Sequence, residues 1–326
     1  MDLLLSVRNL KTYFYTYRGV VKALDGVYLD LAQESTLGLV GETGCGKSVT
    51  SLSILRLIEP PGKIVGGEIW FAGRDLLTLS PQEMRRIRGA EIAMIMQEPK
   101  VSLNPVFPVG FQIAEAIAAQ RKIGKRAARK EAVEMLRRVR IAEPDKVANQ
   151  YPHELSGGMA QRAMIAMMLS TRPKLLIADE PTSALDVTTQ AQILELLRDL
   201  VREVRASVLL ITHDLGVVAE ACERVAVMYA GRVVEEGSVR QVLKEARHPY
   251  TVGLLQTIPR PGDPREELTT IEGSVPDLIH PPSGCRFHPR CPEAMEICRL
   301  HIPAAVEVAP GHRVACHLYA ETPGEE

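Results

Sequence analysis

The segment Gly41-Glu-Thr-Gly-Cys-Gly46-Lys47-Ser48 holds the first residues whose types and spacing amount to chemistry. It fits the pattern G-x-x-x-x-G-K-[ST]. The apolar run Thr36–Val40 precedes it, and a helix is expected to begin near Lys47. Glycines let the backbone curl so that successive N–H groups aim at phosphate oxygens, and a helix N-terminus adds about half a positive charge. Lys47 supplies a mobile ammonium for the terminal phosphates, and Ser48 supplies a hydroxyl for Mg²⁺. Gly41, Thr43, Gly44, Cys45, Gly46 and Val49 complete the expected lining. Cys45 reads as a small residue that fits the loop; a thiol activated by the helix N-terminus is the functional alternative.

A second element is Lys174-Leu-Leu-Ile-Ala-Asp179-Glu180. An apolar strand ending in an acidic pair places carboxylates at the edge of a sheet where open α/β folds bind ligands. Asp179 would enter the Mg²⁺ shell, and Glu180 would orient the attacking water and accept its proton. Many strands end in Asp or Glu, so the pair gains weight only beside the glycine loop. Together the two indicate a P-loop nucleoside triphosphatase.

These side chains need a sheet to position them. Thr36–Val40, Ile92–Met96, Leu175–Ala178, Val208–Ile211 and Val225–Tyr229 read as buried strands. Thr188–Val204 reads as an amphipathic helix with Ile193, Leu196, Leu197, Leu200, Val201 and Val204 on one stripe. Apolar strands alternating with helices indicate a parallel α/β sheet covered on both faces. Phe111–Gln120 and Lys125–Arg140 read as a helical insertion. The latter stretch is strongly basic and reads as a solvated face, with proximity to anionic lipid as the sharper alternative.

Composition narrows the class. With 39 Lys+Arg against 40 Asp+Glu in 326 residues, there is no electrostatic footprint for nucleic acid. The longest apolar run, Ala163–Leu169, is far short of the ~18–20 residues that span a bilayer. The N-terminus does not read as a signal peptide, so a reducing compartment is expected. Four of the six cysteines (Cys285, Cys291, Cys298, Cys316) and twelve of the 22 prolines lie at or beyond Pro249. Such a tail cannot build a large core, which makes a metal staple plausible. Four thiolates suit Zn²⁺ or a [4Fe–4S] cluster, and His288, His312 or His317 could substitute in a zinc site.

Leu155-Ser156-Gly157-Gly158-Met159-Ala160-Gln161, opening a helix, resembles the signature sequence of ATP-binding-cassette (ABC) ATPases. Other positions resemble that family in order. Gln97 matches the Q-loop, Ser183-Ala-Leu-Asp186 the D-loop and His213 the switch histidine. The cluster Tyr13-Phe14-Tyr15 with Tyr17 matches the aromatic A-loop; Phe14 is preferred for stacking on adenine, with Tyr13 or Tyr15 open. The resemblance implies an ABC ATPase core at 1–236, with an N-terminal antiparallel β subdomain and a helical insertion at about 98–155. A small irregular C-terminal domain would follow at 237–326. It also implies that Lys47, Gln97, Glu180 and His213 are catalytic, and that Ser48, Gln97 and Asp179 hold Mg²⁺. Ser156, Gly157, Gly158, Met159 and Asp186 would contact ATP held by the opposite subunit.

Gln97–Pro105, Tyr151–Met159, His248–Thr251 and Gly284–Pro292 are similar to the ATP-binding subunits of oligopeptide/dipeptide and nickel importers. Glu98, Lys100 and Ala160 depart from the common residues of that group, and Met159 stands where Gln is usual. The group implies a [4Fe–4S] cluster on the four cysteines and two transmembrane permease partners. It further implies an extracytoplasmic solute-binding protein, a sister ATPase or a second copy of this chain, and residence on the cytoplasmic face of the membrane. The Met159 signature favours the heterodimer. A soluble ABC ATPase acting on DNA or ribosomes is disfavoured by the single compact cassette. A scaffold that binds without turnover is disfavoured by the intact Lys47, Asp179, Glu180 and His213.

Overall fold

The computed structural model describes residues 2–121, 123–183, 185–257 and 270–319. Among them the strands are β1 (Leu3–Thr16), β2 (Gly19–Ala32), β3 (Thr36–Val40), β4 (Gly62–Phe71), β5 (Arg74–Asp75), β6 (Ile92–Ile95), β7 (Leu175–Asp179), β8 (Ser207–Ile211), β9 (Arg224–Tyr229), β10 (Arg232–Ser238), β11 (Ala305–Ala309) and β12 (His312–Ala315). The five runs read as buried strands are β3, β6, β7, β8 and β9, each within a residue of its expected bounds. The chain forms two compact units. One comprises Met1–Leu4, Ala32–Ser35 and Thr78–Leu210; the other comprises Leu5–Leu31, Thr36–Leu77 and Ile211–Glu326.

In the first unit β8, β7 and β6 lie in that order, and β6 runs parallel to β7 with Ile92 opposite Leu175. β7 is buried at every position, which accounts for its unbroken apolar run. The helical insertion is present as Val109–Arg121 and Lys125–Arg138. Ala128, Ala132, Met135 and Leu136 of the second helix are buried at helical spacing, while most of its basic residues face outward, Arg137 pairing there with Glu134. Gly110 is needed where the first of these helices meets the end of the short helix Pro144–Val147: an added Cβ would lie 2.7 Å from the Ala148 carbonyl oxygen. Gly157–Ser170 is buried on most of its circumference and packs against both insertion helices and Val187–Val204. On Val187–Val204 the expected stripe is buried except Val204, which is half-buried, and Leu194 joins it.

The second unit holds an antiparallel sheet in the order β2-β1-β4-β5, matching the expected N-terminal β subdomain. It also holds strands in the order β11-β12-β10-β9-β3. β3 and β9 are parallel, and the remaining pairs are antiparallel. β10 runs unbroken through position 236, and the tail strands β12 and β11 extend the sheet from it. The tail therefore needs no large core of its own. Phe287 is buried beside Tyr229 and Tyr250, with ring centroids 5.1 and 5.4 Å away, and burial of one such ring contributes about 1.5–3 kcal/mol.

Glu235 of β10 is a buried hub. Its carboxylate accepts from the Arg247 and His248 N–H groups at 2.8 and 2.9 Å and meets His312 Nε2 at 2.7 Å. Among the described residues no helix is long and apolar enough to cross a membrane.

His248 caps the helix Pro249–Gln256, its Nδ1 accepting from the Tyr250 N–H at 3.0 Å. Burial pushes its pKa down from 6.5 to about 3. Between those values the unfolded chain binds a proton that the folded chain refuses. Stability is therefore intact above the unfolded value and is lost as pH falls, at about 1.4 kcal/mol per pH unit from this residue. His248→Asn keeps a capping oxygen, so urea denaturation from pH 7 to 4 should show a shallower acid limb. An unchanged limb would contradict the assignment.

Candidate functional site

The glycine loop leaves β3 and enters the helix Lys47–Ile54. Gly46 stands at φ +110°, where an added Cβ would lie 2.9 Å from the Ala23 carbonyl oxygen. At Gly41 the corresponding distance to the Met228 carbonyl oxygen is 2.1 Å. Side chains are excluded at both positions, so the loop backbone can lie against β2 and β9. Lys47 is buried, and its Nζ donates to the Gly41 and Glu42 carbonyl oxygens at 2.7 and 3.1 Å. Thr43, Gly44 and Ser48 are exposed, and Val49 is half-buried. Cys45 is fully buried and burial pushes its thiol up, which fits the small-residue reading rather than an activated thiol.

Of the aromatics on β1, Tyr13 donates its hydroxyl to Asp25 Oδ1 at 2.9 Å. Burial, with Asp25 beside it, pushes that hydroxyl up to about 12. Phe14 pairs with Gly62 across the β1–β4 ladder, its ring covering the place where a Gly62 Cβ would stand. Tyr15 is exposed. His213 lies between two anchored neighbours. The Thr212 N–H donates to the Leu39 carbonyl oxygen at 3.2 Å, and Asp214 caps the helix Leu215–Ala221. These groups all belong to the second unit.

The first unit brings Gln97 and Glu180 together, Gln97 Nε2 donating to Glu180 Oε2 at 2.9 Å. Asp179 ends β7 as a buried carboxylate. Glu180 follows at φ +46°, a left-handed conformation that costs a non-glycine residue about 1–2 kcal/mol and turns the chain sharply off the strand. Ser156 caps the signature helix, its Oγ accepting from the Met159 N–H at 3.3 Å. Asp186 caps the next long helix, accepting from the Thr189 N–H and hydroxyl at 3.0 and 2.7 Å. Those bonds hold its carboxyl below the usual range. The signature lies beside the D-loop and the helix after it: a Cβ on Gly157 would lie 4.0 Å from Leu185 Cδ2, and one on Gly158 3.3 Å from Thr189 Cγ2. Gly157 is exposed beside it.

The tail cysteines form no disulfide; Cys298 and Cys316 are buried, and Cys285 and Cys291 half-buried. The Cys285 N–H donates to the Cys298 carbonyl oxygen at 2.8 Å. Burial and neighbouring cysteines push the thiols of Cys285, Cys291 and Cys316 up, the last to about 11. Among the described residues no three or more His, Cys, Asp or Glu side chains are arranged to hold a metal ion in common. The expected [4Fe–4S] or Zn²⁺ site is therefore not borne out by the arrangement, and no step below uses it. Magnesium asks less, since it takes one or two carboxylates and completes its shell with substrate phosphates and water. Asp179 and Gln97 in the first unit and Ser48 in the second each carry a hard oxygen of that kind.

Two arginines lie between Cys285 and Cys291, and no motif or spacing rule marks them in the sequence. Arg286 Nη2 donates to Asp25 Oδ2 at 2.7 Å, and Arg290 holds both carboxylate oxygens of Glu42, inside the glycine loop. No local signal links positions so far apart in the chain.

The ABC transporter family matches residues 24–183, and the oligopeptide/dipeptide transporter C-terminal region matches residues 234–298. The dipeptide transport ATP-binding protein DppD of Bacillus subtilis is 50% identical, covering 98% of this chain and 95% of that protein. The oligopeptide transport ATP-binding protein OppD of the same organism is 52% identical, covering 97% and 88%. A dimeric ATP-binding cassette solved in a post-hydrolysis state with ADP and Pi superposes with a TM-score of 0.66. It is 28% identical over 72% of this chain and 99% of that one. The chain belongs to the ATP-binding subunits of ABC transporters, in the branch with the oligopeptide/dipeptide C-terminal region.

The two glycine positions should separate strain from crowding. Gly44 has positive φ but open space around it, whereas Gly46 has neither freedom. Gly44→Ala should cost about 1 kcal/mol and Gly46→Ala at least about 2 kcal/mol in denaturant unfolding. Equal losses would contradict the close approach to Ala23.

Proposed function

We propose that this chain hydrolyses ATP to power import of di- and oligopeptides, as the nucleotide-binding subunit of a transporter on the cytoplasmic face of the membrane. The observation that carries the solute class is the match of the tail at 234–298 together with the peptide-transport relatives. The contact between Gln97 and Glu180 supports the hydrolytic assignment.

In this reading the loop N–H groups and Lys47 take the β- and γ-phosphates, and an aromatic side chain of β1 stacks on adenine. Phe14 is the expected ring, and Tyr15 offers the more exposed one. Ser48, Gln97 and Asp179 would hold Mg²⁺, which would supply charge neutralisation for the phosphates. Glu180 accepts the proton of the attacking water, while Gln97 fixes the orientation of that carboxylate and His213 steadies the γ-phosphate. ATP and water yield ADP, inorganic phosphate and a proton.

Ser156, Gly157, Gly158, Met159 and Asp186 act on the ATP of the opposite subunit, so turnover needs a dimer, with a sister ATPase as the preferred partner. Closure on ATP and reopening after hydrolysis drive two permease subunits, because ATP binds the closed form more tightly. An extracytoplasmic solute-binding protein delivers the peptide.

Glu180→Gln should lower turnover at least about a hundredfold and leave ATP binding intact. Full hydrolysis in that variant would refute the role given to Glu180. The iron–sulfur reading rests on resemblance alone. Anaerobically purified protein would carry four iron and four sulfide per chain if it holds, about the content of one [4Fe–4S] cluster. Colourless protein lacking both would dismiss it.

A further inference from the structure

Glu42 is the second residue of the glycine loop, and each of its polar groups is held. Its carbonyl oxygen accepts from Lys47 Nζ at 3.1 Å. Its N–H donates to the Tyr250 hydroxyl at 3.0 Å. Its carboxylate is gripped by Arg290, with Nη1 to Oε2 at 2.9 Å and Nη2 to Oε1 at 3.2 Å.

Arg290 is itself fixed from several directions. Nε donates to the Glu272 carbonyl oxygen at 2.9 Å and Nη2 to the Ile271 carbonyl oxygen at 3.2 Å. Its guanidinium also lies 5.8 Å from the centre of the Tyr229 ring. The side chain is 6% exposed. A buried guanidinium paired through both arms holds its carboxylate in one orientation, which a lysine cannot do.

The same peptide that Arg290 and Tyr250 fix supplies an acceptor for Lys47. Lys47 Nζ divides its hydrogen bonds between the Gly41 and Glu42 carbonyl oxygens. A shift of the Glu42 peptide therefore moves one of the two anchors of the lysine expected to meet the terminal phosphates. The carboxylate also needs its partner for electrostatic reasons. An unneutralised Glu42 would put a negative charge in a loop that must receive a polyanion.

We infer that Arg290, with Tyr250, is a positioning residue for ATP: the C-terminal segment sets the geometry and charge of the glycine loop and thereby the nucleotide affinity of the subunit. The inference rests on reading Gly41–Ser48 as the phosphate site.

The test is equilibrium binding of a non-hydrolysable ATP analogue with Mg²⁺ to the full chain, alongside thermal unfolding. Arg290→Met should weaken binding by about tenfold, and Glu42→Gln, which loses the grip but leaves no bare carboxylate, should weaken it by less than that. Combining them should be no worse than Arg290→Met alone, because either change breaks the same pair. Tyr250→Phe, which keeps the buried ring and removes only the hydroxyl, should weaken binding by about threefold.

Unchanged affinity in Arg290→Met and Tyr250→Phe, even with a lowered melting temperature, would make the contacts merely structural and overturn the inference. Effects of Arg290→Met and Glu42→Gln that multiply would overturn it too. If Arg290→Met does not fold, Glu42→Gln and Tyr250→Phe decide. Lys47→Ala separates the two levels of argument. Wild-type binding in that variant would overturn the phosphate-loop assignment, whereas lost binding there with unaffected Arg290 and Tyr250 variants would overturn only the positioning role.

Discussion

A loop that binds an anion through backbone N–H groups must have its carbonyl oxygens satisfied elsewhere, or they would turn their own negative ends toward the ligand. Lys47 meets that demand for Gly41 and Glu42 from within the loop. Glycines at 41 and 46 meet the steric half of it by letting neighbouring backbone approach closer than a Cβ allows. Much of the second unit can be understood as what surrounds this arrangement. β3 delivers the chain, β9 supplies the Met228 carbonyl against Gly41, and Tyr250 and Arg290 hold the outer side of Glu42.

The C-terminal segment is joined to that unit by three kinds of interaction. Phe287 fills a gap beside Tyr229 and Tyr250. Arg286 reaches Asp25, where burial would raise the carboxyl but the Tyr13 hydroxyl, Arg286 and Arg232 more than offset it. Glu235 gathers His312 from the tail and the backbone of Arg247 and His248. Each is buried or half-buried, so each is worth more than an exposed ion pair would be. A proline-rich segment with few apolar residues can thus be ordered by docking on a neighbouring core.

What was legible in the sequence was local. The glycine loop, the acidic end of β7, and the caps Ser156 and Asp186 all express requirements met within a few residues, and their types announce them. The buried strands were legible because a strand covered on both faces must be apolar at every position. What was not legible was distant. Nothing near Glu42 indicates a guanidinium from residue 290, and nothing near Asp25 indicates Arg286. Thiols are rare and so stand out in a sequence, yet the side chains of the tail cysteines are not arranged as metal ligands among the described residues. The arginines between them, common residues with no spacing rule, make the longer-range contacts.

The place of β10 has a consequence for chain length. It pairs with β9 on one side and with β12 on the other. A chain cut after Ser238 would keep the motifs of a phosphate site but leave the second side of β10 bare. A row of open N–H and C=O groups on a strand edge is a template for another molecule's strand. The cut would also remove His312, Arg247 and His248 from around Glu235, leaving an uncompensated carboxylate where one had been buried. Such a fragment would be less a smaller ATPase than a self-associating sheet, so the tail acts as the edge guard of the strands that carry the site.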